Sequence, residues 1–361
     1  MAENGSMNCT LHGEDAAPYP QDHKTLVYKG MPPNITCCDS ALRILPDGEW
    51  IVVFFTGGSI EPEPANFVAL CRSTDRGEVW GPMEVVRKYD DRACIVSEVL
   101  ANGPEITVFL NVHGGHFERW WNYTTTSTDN GRTWSEPEIF QPLPRRALVR
   151  SIYRASWGEW FAPFQYYPPT GDVDASIIED GSHKSMFIGT LISGDEGRTW
   201  TQSAMVRSRY WAENNVVELR DGRMVMLHRI DASGCLWRCE SRDRGRTWTE
   251  SVRTEIPNPG SKIRLFRLSD GRIVLIHNPS NRTSHPNSKL YAWVNRNPLA
   301  MWISDDDLET WGYKRVLTDF PGHHAYPDGV VDDSEQYVHF AYDYNRHDVI
   351  YWGARLPKGK G

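Results

Sequence analysis

Five segments of this chain repeat one eight-residue pattern, Ser-x-Asp-x-Gly-x-Thr-Trp or nearly so. They run from Ser73 to Trp80, Ser127 to Trp134, Ser193 to Trp200, Ser241 to Trp248 and Ser304 to Trp311. The first carries Val79 in place of Thr and the last Leu308 in place of Gly. A pattern that returns every ~50 to 65 residues marks a repeat architecture, and each period has room for one four-stranded sheet with its loops. Every position has a physical task. The Asp side chain hydrogen-bonds the backbone of its own turn. The Gly takes the positive φ of a tight hairpin. The closing Trp returns to the sheet and packs between neighbouring sheets. The boxes are therefore structural, not catalytic.

A second signature lies upstream of most boxes: apolar strand, Asp-Gly turn, apolar strand. It reads Ala41 to Leu45, Asp47-Gly48, Trp50 to Phe55; then Val216 to Leu219, Asp221-Gly222, Met224 to Leu227; then Ile263 to Leu268, Asp270-Gly271, Ile273 to Ile276. β-Branched and aromatic residues around Asp-Gly are hairpin chemistry. No stretch shows a helical period. Laid end to end, the periods give six units, so the fold class is all-β and the architecture a six-bladed β-propeller. The sixth unit, from about Tyr326 to Leu356, has no box. A strand near Thr25 to Tyr28 is expected to complete it and close the ring, removing exposed sheet edges. Residues 1–24 then form a flexible N-terminal segment and 25–361 a single domain.

Composition narrows the function. The formal charge is -8 over 361 residues, which argues against nucleic acid as a partner. The 15 Trp suit sheet packing and sugar faces alike. The seven Cys are odd in number and form no paired Cys-x-x-Cys spacing, so they are expected buried and reduced, with no metal site and no cofactor. The N-terminus is polar without an apolar signal core, and no segment reaches a membrane span. The expected location is cytoplasmic, or secreted or periplasmic if a signal has been removed. The sequons at Asn34 and Asn122 carry weight only after secretion. Oligomeric state is not legible.

The boxes, together with the strand–Asp-Gly–strand units, resemble the sialidase superfamily in its Asp-box (BNR) repeat branch, over residues of about 30 to 356. The run from Arg296 through Ser304, Asp306 and Trp311 to Ala325-Tyr326-Pro327 is especially similar. The resemblance implies a site on the propeller axis with a Tyr nucleophile helped by a Glu, Arg side chains for a substrate carboxylate, and an acidic proton donor. An anionic substrate would repel a carboxylate nucleophile, whereas a neutral Tyr avoids that repulsion. Arginine offers fixed, fork-shaped donors to a carboxylate. On this resemblance Tyr326 is the nucleophile, Glu213 its partner, and Arg229 and Arg296 two carboxylate ligands. Arg150 and Arg264, at inner-strand entries beside Arg154 and Lys262, are further anion contacts.

One part of the pattern is missing. The position where the family carries its first Arg falls on Cys38, within Thr36-Cys-Cys-Asp-Ser40. Asp39 is taken as the proton donor, with Glu61 and Glu63 in a Pro-rich loop as alternatives. His113 and His116 are candidates for substrate contact or general base chemistry, and His323 and His324 flank Tyr326. These residues imply an exo-acting glycosidase for a terminal acidic sugar, with an anionic carbohydrate as partner. Cys38 and the His pair keep open a uronate-directed glycosidase or lyase on the same propeller. A non-catalytic glycan-binding propeller is the third possibility.

Overall fold

The structure, a computed structural model, describes residues 21–114, 120–168, 186–208, 212–231, 233–281, 296–318 and 320–359. Most of the proposed N-terminal segment lies outside the described residues. The described residues contain no helix, so none is long and apolar enough to cross a membrane.

The strands group into six sheets arranged as the blades of a propeller. β1 (His23–Lys29) comes first in the chain and last in the ring. Blade 1 holds β2 (Cys37–Ile44), β3 (Trp50–Thr56), β4 (Phe67–Ser73) and β5 (Glu84–Arg87). Blade 2 holds β6 (Ala93–Asn102), β7 (Glu105–His113), β8 (Trp121–Ser127) and β9 (Glu138–Ile139). In blade 3 the inner strand is split into β10 (Ala147–Val149) and β11 (Tyr153–Arg154). β12 (Trp160–Tyr166) and β13 (Met186–Ser193) follow, and the outer strand is split into β14 (Thr201–Gln202) and β15 (Val206–Ser208). Blade 4 holds β16 (Asn214–Glu218), β17 (Met224–Arg229), β18 (Cys235–Ser241) and β19 (Val252–Pro257). Blade 5 holds β20 (Arg264–Arg267), β21 (Ile273–His277), β22 (Ala300–Ser304) and β23 (Tyr313–Val316). Blade 6 joins β24 (His324–Val331), β25 (Tyr337–Tyr344) and β26 (Asp348–Arg355) to β1, which pairs antiparallel with β26.

Each pair of neighbouring blades encloses an apolar cluster, so middle strands are buried on both faces. β3 and β4 are buried at every residue, which explains the unbroken run Trp50 to Phe55. The box Trp residues sit in these seams. Trp134 packs on the cluster of blades 1 and 2, Trp200 on that of blades 2 and 3, Trp248 on that of blades 3 and 4, and Trp311 on that of blades 4 and 5. Trp80 packs on the cluster of blades 6 and 1, and its indole N–H donates to Thr25 of β1 at 3.0 Å.

The hydrogen bonding inside a box recurs in all five, except that Val79 of the first has no hydroxyl to donate. Ser241 Oγ donates to Asp243 at 2.7 Å and accepts from Gly245 N–H at 2.8 Å. Asp243 in turn accepts from Thr247 N–H at 2.9 Å and from its hydroxyl at 2.6 Å. The box Gly is needed twice over. Gly245 has φ 77°, and a Cβ there would lie 2.7 Å from Phe161 of the preceding blade. The residue before it, Arg244, also has positive φ, which the repeat alone does not reveal. In the fifth box Leu308 itself adopts φ 70° and fills the blade 4–5 seam. Among the described residues, Cys37, Cys38, Cys71, Cys94, Cys235 and Cys239 are all free and buried.

Candidate active site

In an antiparallel blade, the start of the first strand and the end of the second lie at the same end of the ring. Polar residues at these positions converge on the axis. Three inner strands break their ladders there. β2 bulges between Cys38 and Ala41, β6 between Val96 and Glu98, and β24 between Ala325 and Asp328. Asp39 and Tyr326 occupy two of these bulges with φ 50° and 58°. Positive φ is uncommon for such residues and is stored where the surroundings over-determine it. Pro327 is tolerated in the bulge because no ladder N–H is needed there. The interruption of the blade 3 inner strand between β10 and β11 begins at Arg150, whose backbone N–H still donates to Pro163 O of β12 at 2.8 Å.

These breaks bring Asp39, Arg150, Glu213, Arg229, Arg296 and Tyr326 into one buried group. Glu213 is 1% exposed and Tyr326 7%. Glu213 lies 2.8 Å from Arg229 and 3.1 Å from Arg150. Arg229 also donates to the Tyr326 hydroxyl at 3.0 Å and lies 3.3 Å from Asp231. Arg150 reaches Asp39 at 3.6 Å. The Arg296 guanidinium stands 5.0 Å from the Tyr326 ring centroid and donates one N–H to Gly260 O at 2.8 Å. Among the described residues, its Nε and Nη1 are buried with no hydrogen-bond partner. Buried donors of this kind are costly unless a ligand or water meets them.

The electrostatics separate the two acids. Burial pushes Asp39 up to about 6, against the pull of Arg150 and Lys262. Burial also opposes ionisation of Glu213, but Arg229, Arg150, Arg296 and Lys262 outweigh it and hold its carboxyl below the usual range. The Tyr326 phenol is raised to about 12, chiefly by burial, with Arg229 opposing.

Several sequence expectations end elsewhere. Arg264 is not among the groups around Tyr326. It belongs to an ion cluster along the axis, within 3.8 Å of Asp328 and 4.0 Å of Glu98, and donates to Ile152 O. Arg43 pairs with Glu98 and, at 2.8 Å, with Asp328, which also faces Lys262 at 3.4 Å. The sequence does carry a partial signal for this cluster: Arg43, Glu98 and Asp328 are charges inside largely apolar strands. Arg154 is exposed, over Trp160. His113 is buried against Trp120, at a ring separation of 5.0 Å, and His116 lies outside the described residues. Glu63 accepts from Ile60 N–H and holds its own loop, and Glu61 pairs with Arg346. Cys38 donates its thiol hydrogen to Asp343 at 3.2 Å, whose other oxygen is 3.4 Å from His323. Burial raises that thiol well above its ordinary value, while Arg346 opposes. His324 is buried and bonds Phe320 O at 3.1 Å. Arg346, from the β25–β26 turn, was not foreseen.

A ring of six four-stranded blades with Asp boxes and an arginine-lined axial site defines a class, the sialidase-like propellers. The profile of the BNR repeat-like domain matches residues 49–340, and the chain belongs to that family, within the sialidase superfamily. A sialidase of Micromonospora viridifaciens is 26% identical over 327 residues, covering 80% of this chain and 48% of the relative. A Clostridium perfringens sialidase is 25% identical, covering 70% of this chain and 71% of its own length. The chain thus spans about half the length of the Micromonospora relative. Among solved structures, a Hadza microbial sialidase superposes with TM-score 0.71 at 19% identity, over 89% of this chain and 66% of that one. Trypanosoma rangeli sialidase bound to the inhibitor DANA gives 0.68 at 13%, over 92% and 60%. A Dyadobacter fermentans protein of unknown function gives 0.71 at 17%, over 94% and 100%.

Proposed function

We propose that this propeller is a glycoside hydrolase of the sialidase type, acting from the chain end on a terminal acidic sugar. In this reading the Tyr326 hydroxyl attacks the anomeric carbon and its proton passes to Glu213. Asp39 gives its proton to the departing glycosidic oxygen. Water then attacks the glycosyl–tyrosine bond, Asp39 takes a proton from that water, and Tyr326 recovers its own from Glu213. Arg296 and Arg229 hold the substrate carboxylate. The observation that carries the reading is the grouping of a phenol, an ionised carboxylate and Arg229 within hydrogen-bonding reach. The bond from Arg229 stabilises the phenolate that attack requires. The unpartnered N–H groups of Arg296 fit an anion. The similarity to proteins described as sialidases points the same way.

Cys38, standing where the resemblance implies an arginine, keeps uronides beside sialosides as substrates. A panel of chromogenic sialosides and uronides tests both. Release of chromophore from one class by the parent, and its loss in Tyr326→Phe, supports the proposal. No release from any of them, or equal release by Tyr326→Phe, contradicts it.

A further inference from the structure

Arg150 sits in a different setting from Arg296, although both line the same site. Among the described residues both arginines keep a buried Nε and Nη1 without a hydrogen-bond partner, but Arg150 is flanked by two carboxylates. It lies 3.1 Å from Glu213 and 3.6 Å from Asp39, and is 5% exposed. Both contacts are ion pairs. The three residues come from three blades: Asp39 from the bulge of β2, Arg150 from the gap between β10 and β11, and Glu213 from the entry to β16. A guanidinium fixed in this gap is planar and permanently charged, so it can address two acids at once.

We propose that Arg150 is a positioning residue that ties Asp39 to Glu213 across the site, holding one as a proton donor and the other as an ionised partner of Tyr326, instead of receiving the substrate. This rests on the roles given to those two acids above. Two carboxylates that share a small buried volume repel one another, and one of them then takes up a proton. Arg150 sits between them and decides how far that goes. The other groups facing Asp39 are Lys262 before β20, Glu61 from the β3–β4 loop, Glu213, and Tyr326 of β24. Those facing Glu213 are Arg229, Arg296, Lys262, Tyr326 and Tyr167. Lys262 is drawn toward Asp328 in the axial cluster, at 3.4 Å. Among the described residues, Arg150 is therefore the cation within ion-pairing distance of both acids.

The test does not depend on turnover. The protein is labelled with carbon-13 at Asp and Glu side-chain carboxyls and titrated by NMR, with Asp39→Asn and Glu213→Gln assigning the two signals. The parent is expected to show Asp39 titrating near 6. In Arg150→Met both midpoints move up, Asp39 by roughly one to three pH units. Arg150→Lys keeps the charge but not the fork, so it holds one acid and releases the other, and one midpoint moves. This milder variant covers the case in which Arg150→Met does not fold. Midpoints unchanged in either folded variant overturn the proposal. Where turnover is measurable, the descending limb of the pH–rate profile moves up with Asp39 in Arg150→Met. A simple loss of substrate affinity, with KM raised and the profile in place, marks Arg150 as a substrate ligand and also overturns it. A parent that titrates as described but cleaves nothing removes the proposed function and leaves the bridge standing.

Discussion

Asp39 and Tyr326 both hold left-handed backbone, and that makes their substitutions unequal. Asparagine tolerates this conformation well, so Asp39→Asn keeps the bulge while removing the exchangeable proton. At pH 5 most Asp39 carboxyls are protonated already, because the group titrates near 6. The thermal midpoint of Asp39→Asn at that pH is therefore expected to stay close to the parent's, while kcat falls by about 10²- to 10⁴-fold. Unchanged turnover rules out Asp39 as the donor. The same titration fixes the sign of the pH dependence. A donor must be protonated, so with Asp39 in that role activity is expected to fall as pH rises through about 6. Glu213, held below the ordinary carboxylate range, is ionised where Asp39 titrates. The sequence carries the identity of Tyr326, Glu213, Arg229 and Arg296 through resemblance, because their spacing follows the strand repeat. It does not carry the pairing of Arg150 with Asp39, which comes from separate blades. A bulge and a broken strand aim these two, and neither has a period.

At the scale of the element, the Asp box was fully legible and its internal strain was not. The repeat names the Ser, Asp, Gly and Trp. That two successive residues take positive φ emerges only from the folded turn, at Arg76, Asn130, Glu196, Arg244 and Asp307 ahead of the box glycine or leucine. Gly245→Ala adds a Cβ 2.7 Å from Phe161 at φ 77°, and is expected to cost about 1 to 3 kcal/mol in urea unfolding. A stability equal to the parent's contradicts the close approach of the blades. Leu308 is the informative exception. Removing its left-handed strain by Leu308→Gly gains about 1 kcal/mol, but burial of a leucine in the seam is worth about 2 to 5. The net expectation is destabilisation, although glycine restores the consensus. The box aspartates add a pH signature. Asp195 and Asp243 are lowered to about 2, the first chiefly by its bond from Thr199 and the second by bonds from Thr247 and Ser241 that outweigh its burial. Their contribution to stability is present above the ordinary carboxylate range and is lost as pH falls toward 2.

For the whole molecule, the ring depends on a strand drawn from the far end of the chain. β1 pairs with β26, and Thr25 accepts from Trp80 of the first box while donating to Gly77 O at 2.6 Å. Deleting residues 1–29 leaves β26 an open edge beside a seam that has lost Val27. The deletion is expected to lower the unfolding temperature and to promote association in sizing experiments; a monomer as stable as the parent contradicts closure by β1. The axial cluster holds the centre of the ring. Asp328→Asn leaves Arg43, Lys262 and Arg264 facing Glu98 alone, and is expected to cost about 3 to 5 kcal/mol. The count of blades was readable from the repeats because every period is a sheet. The cluster was readable only as scattered charges in largely apolar strands, because their pairing arises when the strands meet. The proposed function gives the phenol at the centre of the ring the task of attacking a sugar, and trapping tests that most directly. The protein is incubated with 2,3-difluorosialic acid, or with a 2-deoxy-2-fluoro uronosyl fluoride if the panel selects uronides, and then analysed by intact mass and peptide mapping. The account predicts one added sugar, on the peptide containing Tyr326, and none in Tyr326→Phe. A protein that turns over its substrate yet carries the label on another residue, or no label, contradicts it.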